Sequence, residues 1–168
     1  RLQQLNNIDY DVEIDPEISL EIGESDLEDI FDELITNAER VIKTLREKEY
    51  DPSRRGAIEI TATPIADNVM IVLSDTGIGL DPDEIRKIAR ERRPSDEQPP
   101  LEELDTEEIM QLVFEPWFTS RKERGGQGLD IIREIIQNYG GTIMVESPGR
   151  GKGTSFIITL PLYTEQSV

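Results

Sequence analysis

The feature that most constrains this chain is a single long stripe. Leu27, Ile30, Phe31, Leu34, Ala38, Val41 and Leu45 recur at helical spacing. They predict an amphipathic helix of about six turns with one apolar face. Ser25, with Glu28 three residues on, is in capping-box register for its start. Asp51-Pro52 and Gly56 end the element and its connection. A one-sided helix of that length must cover a sheet or other helices, and the rest of the chain supplies strands. Ile58 to Thr63 and Val69 to Leu73 are β-rich runs separated by residues 64–68. They predict neighbouring antiparallel strands. Thr142 to Glu146 and Thr154 to Leu160 predict a final pair.

Upstream, Tyr10, Val12 and Ile14 alternate with acids, as do Ile18, Leu20 and Ile22, with Pro16 between. These read as two short strands, a candidate hairpin. A charged helix is expected from Pro82 to about Arg92, and one or two helical turns from Thr106 to Phe114. Residues 93–103, with three prolines and no periodicity, read as a mobile loop. Leu129, Ile132, Ile135, Ile136 and Tyr139 predict a last helix, opened by Gly125 to Gly128 and closed by Gly140-Gly141 as a glycine C-cap. The order is ββα, ββ, an irregular span, α, ββ. It predicts an α/β class fold: one mixed sheet with helices on one face, a two-layer sandwich.

Composition narrows the chemistry. Across 168 residues there are 36 Asp+Glu against 18 Lys+Arg, a net charge of −18, with no histidine and no cysteine. Ser-His-Asp and Cys-His catalysis, the usual zinc sites, disulfides and a phosphohistidine on this polypeptide are therefore excluded. The acidic balance argues against nucleic acid or an anionic membrane surface as the main partner. No apolar run approaches the ~20 residues of a membrane span. The first residue is Arg1, and no signal peptide is visible, so an excised fragment is expected.

Three clusters carry possible chemistry. Glu33 and Asn37 lie four apart on the long helix, pointing from consecutive turns of one face. Asn37 interrupts the apolar stripe. It reads either as an amide satisfied by backbone or as an oxygen ligand for a hard cation such as magnesium, beside a carboxylate that can polarise a nucleophile. Asp75-Thr76-Gly77-Ile78-Gly79 ends a strand. It reads either as an ordinary Asx turn or as a buried carboxylate accepting from an exocyclic amine, with Gly77 and Gly79 letting a planar ring approach. Gly125 to Gly128 opens a helix just after Arg121, Lys122 and Arg124. A solvated loop and an anion site are both open there. Walker A and GxGxxG patterns are absent.

Taken together and in order, these boxes resemble the ATP-binding catalytic domain of two-component sensor histidine kinases. That domain belongs to a superfamily shared with gyrase, the mismatch-repair MutL proteins and the 90-kDa heat-shock chaperones. The matching stretches are Phe31 to Ala38, Asp75 to Gly79, Phe114 to Phe118, Gly126 to Leu129 and Gly151 to Thr154. The stretches Gly79 to Asp81 and Ile109 to Phe118 also look similar to chemotaxis-type kinases. The resemblance implies a Bergerat-type fold over residues 9–162, flanked by an upstream tail (1–8) and a C-terminal tail (163–168). It implies a mobile ATP lid at about 80–126.

It further implies that Asn37 ligates Mg2+ bridging the ATP phosphates, and that Arg40 stands where many of these kinases carry a phosphate-approaching lysine. Asp75 would accept from the adenine amine, with Gly77, Gly79 and Thr154 about the base. Arg121 or Lys122 would reach the phosphates, and Gly126, Gly128 and Leu129 would form the helix-start contact. Phe114 and Phe118 would anchor the lid.

The implied activity is transfer of the γ-phosphoryl group from Mg-ATP to a histidine on a separate dimerisation and phosphoacceptor domain, with a response regulator downstream. A cytoplasmic location is implied, with a membrane anchor open for the parent protein. Three features depart from the kinase pattern, the most important being that no phosphoacceptor histidine exists in the chain. Arg124 stands where the glycine-rich box has its first glycine, and Glu33 stands where kinases often have Asn or His. The Glu resembles the hydrolysing members, so an ATPase switch is an alternative, as is a serine kinase or a nucleotide-binding module of the same fold.

Overall fold

The computed structural model describes residues 7–49, 53–119 and 128–163. Five strands form one mixed sheet: β1 (Ile8–Ile14), β2 (Gly56–Ile65), β3 (Asn68–Asp75), β4 (Thr142–Glu146) and β5 (Thr154–Pro161), in the order β1-β2-β3-β5-β4. Four helices accompany them: α1 (Glu24–Glu49), α2 (Pro82–Arg92), α3 (Thr106–Gln111) and α4 (Leu129–Asn138). The predicted two-layer sandwich is therefore the fold. Strict alternation decides which side is buried. Ile58, Ile60 and Ala62 of β2, Val69, Ile71 and Leu73 of β3, and Phe156, Ile158 and Leu160 of β5 all face the helices and are buried. Ile30, Leu34, Ala38, Ile42 and Leu45 of α1 and Ile132 and Ile136 of α4 complete that core. The opposite sheet face is covered by none of these helices and carries the polar members, Glu59, Thr63, Ser74 and Ser155 among them.

The N-terminal hairpin does not form. β1 pairs with β2 in parallel, Tyr10 opposite Ile58, and α1 makes the crossover. Ile18 to Ile22 is no strand; only Leu20 bridges, to Leu162. The reason lies in partner choice. A parallel pair needs a long connection, which α1 supplies, and the intervening segment is used to cross the end of the sheet. There the Tyr163 amide donates to the Ser19 carbonyl at 2.9 Å. Ser25 is not the cap of α1 but lies inside its first turn, since the helix starts at Glu24 and the Leu27 amide already donates to the Gly23 carbonyl. The glycine C-cap of α4 holds: Gly140 has φ +73°, and the amides of Gly140 and Gly141 donate to the carbonyls of Gln137 and Ile136, each at 2.9 Å.

Residues 93–100 form no helix or strand, as the loop reading expects, and Leu101–Glu103 is a single 3-10 turn, but the segment is tethered. Arg93 sits nearly buried and donates to Glu97 and to the Pro99 carbonyl, each at 2.8 Å. Arg86 of α2 donates to the carbonyls of Leu101 and Leu104. Guanidinium forks thus tether a segment that periodicity alone reads as unconstrained. A capping box at Asp105 and Glu108 then starts α3. Ile85, Ala89, Leu104, Ile109 and Phe114 belong to the same core as the sheet.

Candidate nucleotide site

Three elements converge at one end of the sheet. Along β3 the inward row runs Val69, Ile71, Leu73, Asp75, so the fourth place of an apolar row is a carboxylate, 6% exposed. Its Oδ1 accepts from the Gly77 amide at 2.7 Å, while its Oδ2 is buried with no hydrogen-bond partner among the described residues. Burial raises its pKa from 3.8 to about 6, against the opposing pull of the Gly77 and Thr154 amides. A buried acceptor left open is costly, and a donor arriving from outside would remove that cost. Thr154, directly across on β5, is also buried.

From α1, Glu33, Asn37, Arg40 and Val41 follow one face, spaced at one-turn intervals. Arg40 donates from Nη2 to the Asn37 Oδ1 at 2.5 Å, so a cation already sits on that amide oxygen. From α4, Gly128 takes the N-cap position at φ +95°, and no side chain among the described residues caps it, which leaves first-turn amides of the kind that receive an anion.

These groups share one cavity of about 330 Å3, lined by Glu33, Asn37, Arg40, Asp75, Gly79, Phe118, Gly128, Leu129 and Thr154 among others. Its size suits a small organic ligand. Nine of the predicted residues are therefore brought together. Gly77 stands behind the wall: a Cβ there would lie 2.8 Å from the Asp75 Oδ1 and would press on Val41. Phe114 does not reach the cavity either. It is 1% exposed and packs edge-on against Phe156, with ring centroids 6.1 Å apart, and Phe156 forms the wall. Arg121, Lys122 and Gly126 lie outside the described residues.

The cavity also uses Thr36, Val41, Ile78, Leu80, Val113, Thr119 and Phe156, which the motifs did not single out. Val41 and Phe156 had a signal, being one helical turn from Asn37 and one strand alternation from Thr154. Thr36, Ile78, Leu80 and Val113 lie inside the matching stretches without being singled out there, and Thr119 had no signal, since it arrives by folding of the 82–119 segment over the site.

Residues 22–164 match the model of the family described as histidine kinase-, DNA gyrase B- and HSP90-like ATPase. The chain belongs to this ATPase family. Its inward Asp75, the Asn37 face of α1 and the glycine start of α4 line the cavity of a domain of that family. Among curated proteins, the chain is 29% identical over 172 residues to the chemotaxis protein CheA of Halobacterium salinarum, covering 95% of this chain and 25% of that protein. It is 30% identical over 114 residues to the sensor histidine kinase ZraS of Salmonella typhimurium, covering 67% and 19%.

The chain spans a quarter or less of the length of these relatives. Among solved structures, the mycobacterial sensor histidine kinase MprB aligns with a TM-score of 0.62 at 22% identity, covering 93% of this chain and 83% of that one. The catalytic domain of histidine kinase ThkA, in a nucleotide-free form, aligns with a TM-score of 0.61 at 23% identity, covering 92% and 80%. Both share the fold.

Proposed function

We propose that this domain binds Mg-ATP and passes the γ-phosphoryl group to a histidine on a separate helical dimerisation domain, from which a response regulator would be served. The observation that carries the reading is the buried Asp75, whose Oδ2 has no partner among the described residues, in one cavity with Asn37 and Arg40. The exocyclic amine of adenine is a donor of the kind that acceptor lacks. The donor set also fits magnesium. Asn37 offers a hard neutral oxygen, which here accepts from Arg40, so the guanidinium would have to turn away, onto phosphate, for that oxygen to hold the ion. Asn37 would hold the ion, which when bound would neutralise phosphate charge.

The remaining work falls to the chain's own groups. Asp75 and Thr154 would orient the base, and Arg40 would pair with phosphate oxygens. The open start of α4 would receive phosphate charge, as helix N-termini do. Phe118 and Val113 would exclude water from one side. An imidazole nitrogen lone pair from the partner domain would attack the γ-phosphorus in line as the bond to the bridging oxygen breaks and ADP leaves. Catalysis of this kind is mostly positioning and charge stabilisation. In this reading residues 9–162 are the catalytic unit, the lid lies within 80–126, and the location is cytoplasmic.

Glu33 lines the same cavity four residues before Asn37, which favours water activation as a second reading. One experiment separates the two. The chain is incubated with γ-labelled ATP, Mg2+ and a histidine-bearing phosphoacceptor domain of a sensor histidine kinase. The expected result is acid-labile label on that domain's histidine. Steady phosphate release that Glu33→Gln abolishes, with no labelled partner, would make the domain an ATPase switch. Absence of any ATP binding would end both readings.

A further inference from the structure

The turn joining β4 to β5 carries a hydroxyl whose hydrogen-bonding capacity is fully used. Ser147 Oγ accepts from the Leu80 amide at 3.0 Å and from the Gly149 amide at 3.3 Å, and donates to the Gly153 carbonyl at 2.7 Å. A serine hydroxyl has one donor and two acceptor positions, so these three bonds exhaust it. Each goes to a different part of the site's rear wall. Leu80 lines the cavity just before α2, Gly149 is the crest of the turn, and Gly153 precedes Thr154 at the head of β5. The two loops are otherwise laced by backbone alone. The Gly153 amide donates to the Gly77 carbonyl at 3.1 Å, and the Gly151 amide to the Ile78 carbonyl at 2.5 Å.

The loops touch closely enough that no side chain fits between them. A Cβ on Gly79 would strike the Gly149 carbonyl, and one on Gly153 the Asp75 carbonyl. Ser147 itself is not part of the cavity lining.

We propose that Ser147 is a positioning residue for adenine recognition: its hydroxyl fixes the Gly79-Leu80 wall against the Asp75-Thr154 floor. This rests on the adenine-nucleotide reading above. The base lies between that wall and that floor, so loosening the node alters the width of the slot. Affinity for every ligand containing adenine falls by the same factor, whatever phosphates it carries. A residue serving only stability would leave affinity unchanged well below the melting temperature.

Ser147→Ala and Ser147→Thr are compared with the wild type by calorimetry at 10 °C with adenosine, ADP and Mg-ATP. Ser147→Ala is expected to weaken all three by about tenfold, equivalent to ~1.4 kcal/mol. Ser147→Thr, which keeps the hydroxyl, is expected to stay within about threefold of wild type, equivalent to ~0.6 kcal/mol. Folded Ser147→Ala that binds adenosine as wild type does overturns the proposal, and so does a loss confined to Mg-ATP. Amide exchange on the nucleotide-free wild type gives an arm independent of any variant's folding. The Leu80 amide is expected to be protected, and exchange at the free-peptide rate overturns the node. If the wild type binds none of the three ligands, the adenine reading fails and the proposal fails with it. Wild-type binding with an unaffected Ser147→Ala sinks this proposal alone.

Discussion

Replacing Asp75 by Asn should make the nucleotide-free domain more stable while removing its nucleotide affinity. In the folded chain burial raises the Asp75 pKa from 3.8 to about 6. The gap, about 2 pH units, corresponds to ~3 kcal/mol at ~1.4 kcal/mol per unit. Because the folded state holds this proton more tightly than the unfolded chain does, the group's contribution to stability falls as pH rises through the window from 3.8 to about 6, and is level above it. At neutral pH the domain therefore carries a buried, half-satisfied carboxylate at a cost.

Asn is uncharged throughout. Its oxygen can still accept from the Gly77 amide, as the Asp75 Oδ1 does at 2.7 Å. Its NH2 group takes the place of the unpartnered Oδ2 and finds no acceptor there, which returns ~1 kcal/mol of the gain. The expected net effect at pH 8 is a stabilisation of ~1–2 kcal/mol, read as a rise of roughly 2–8 °C in Tm for a chain of this size. Urea unfolding without nucleotide at pH 5, 6, 7 and 8 measures it, and the wild-type-to-variant difference cancels the other acids. The advantage of the variant should shrink as pH falls below about 6. Saturating Mg-ATP should raise the wild-type Tm and leave the variant's unchanged. A variant less stable than wild type at pH 8, or a difference independent of pH, would refute the reasoning about Asp75.

Two further substitutions divide the site. Asn37→Ala should weaken Mg-ATP by more than tenfold, or ~1.4 kcal/mol, while adenosine affinity, measured by the same calorimetry, stays unchanged. Equal losses for both ligands would place Asn37 against the base instead. Gly153→Ala should cost ~2 kcal/mol or more in urea unfolding, on the scale of backbone strain: Gly153 has φ +81°, and its Cβ would meet the Asp75 carbonyl. A variant of wild-type stability would show that the two loops are not packed backbone to backbone.

Much of the site was legible because its residues break local rules. Asn37 interrupts an apolar helical stripe, Asp75 ends an apolar inward row, and Gly128 starts a helix without a side-chain cap. Each is a poor choice for stability alone, which is why each was visible. Ser147 was not visible in this way, because serine in a glycine-rich turn breaks no rule. Its importance comes from three bonds to residues 2, 6 and 67 positions away. The tether on residues 93–103 was hidden for a related reason. A proline-rich charged stretch looks unconstrained until Arg86 and Arg93 are seen to supply donors to its carbonyls.

The chain's periodicities alone determined that there would be one sheet with helices on one side, since a six-turn apolar stripe and alternating strands have few other ways to be buried. Composition determined two more things: a net charge of −18 leaves any anionic ligand to be met by local groups, and a complete lack of histidine rules out a phosphohistidine on this polypeptide. Tertiary structure decided the rest. It chose β2 as the parallel neighbour of β1, sent Ile18 to Ile22 across the end of the sheet, and packed Phe114 in the core against Phe156, which forms part of the cavity wall. Alternation and helical spacing state which face a residue takes. They do not state which other element meets that face, because strand pairing and loop docking are settled by contacts between residues far apart in the chain.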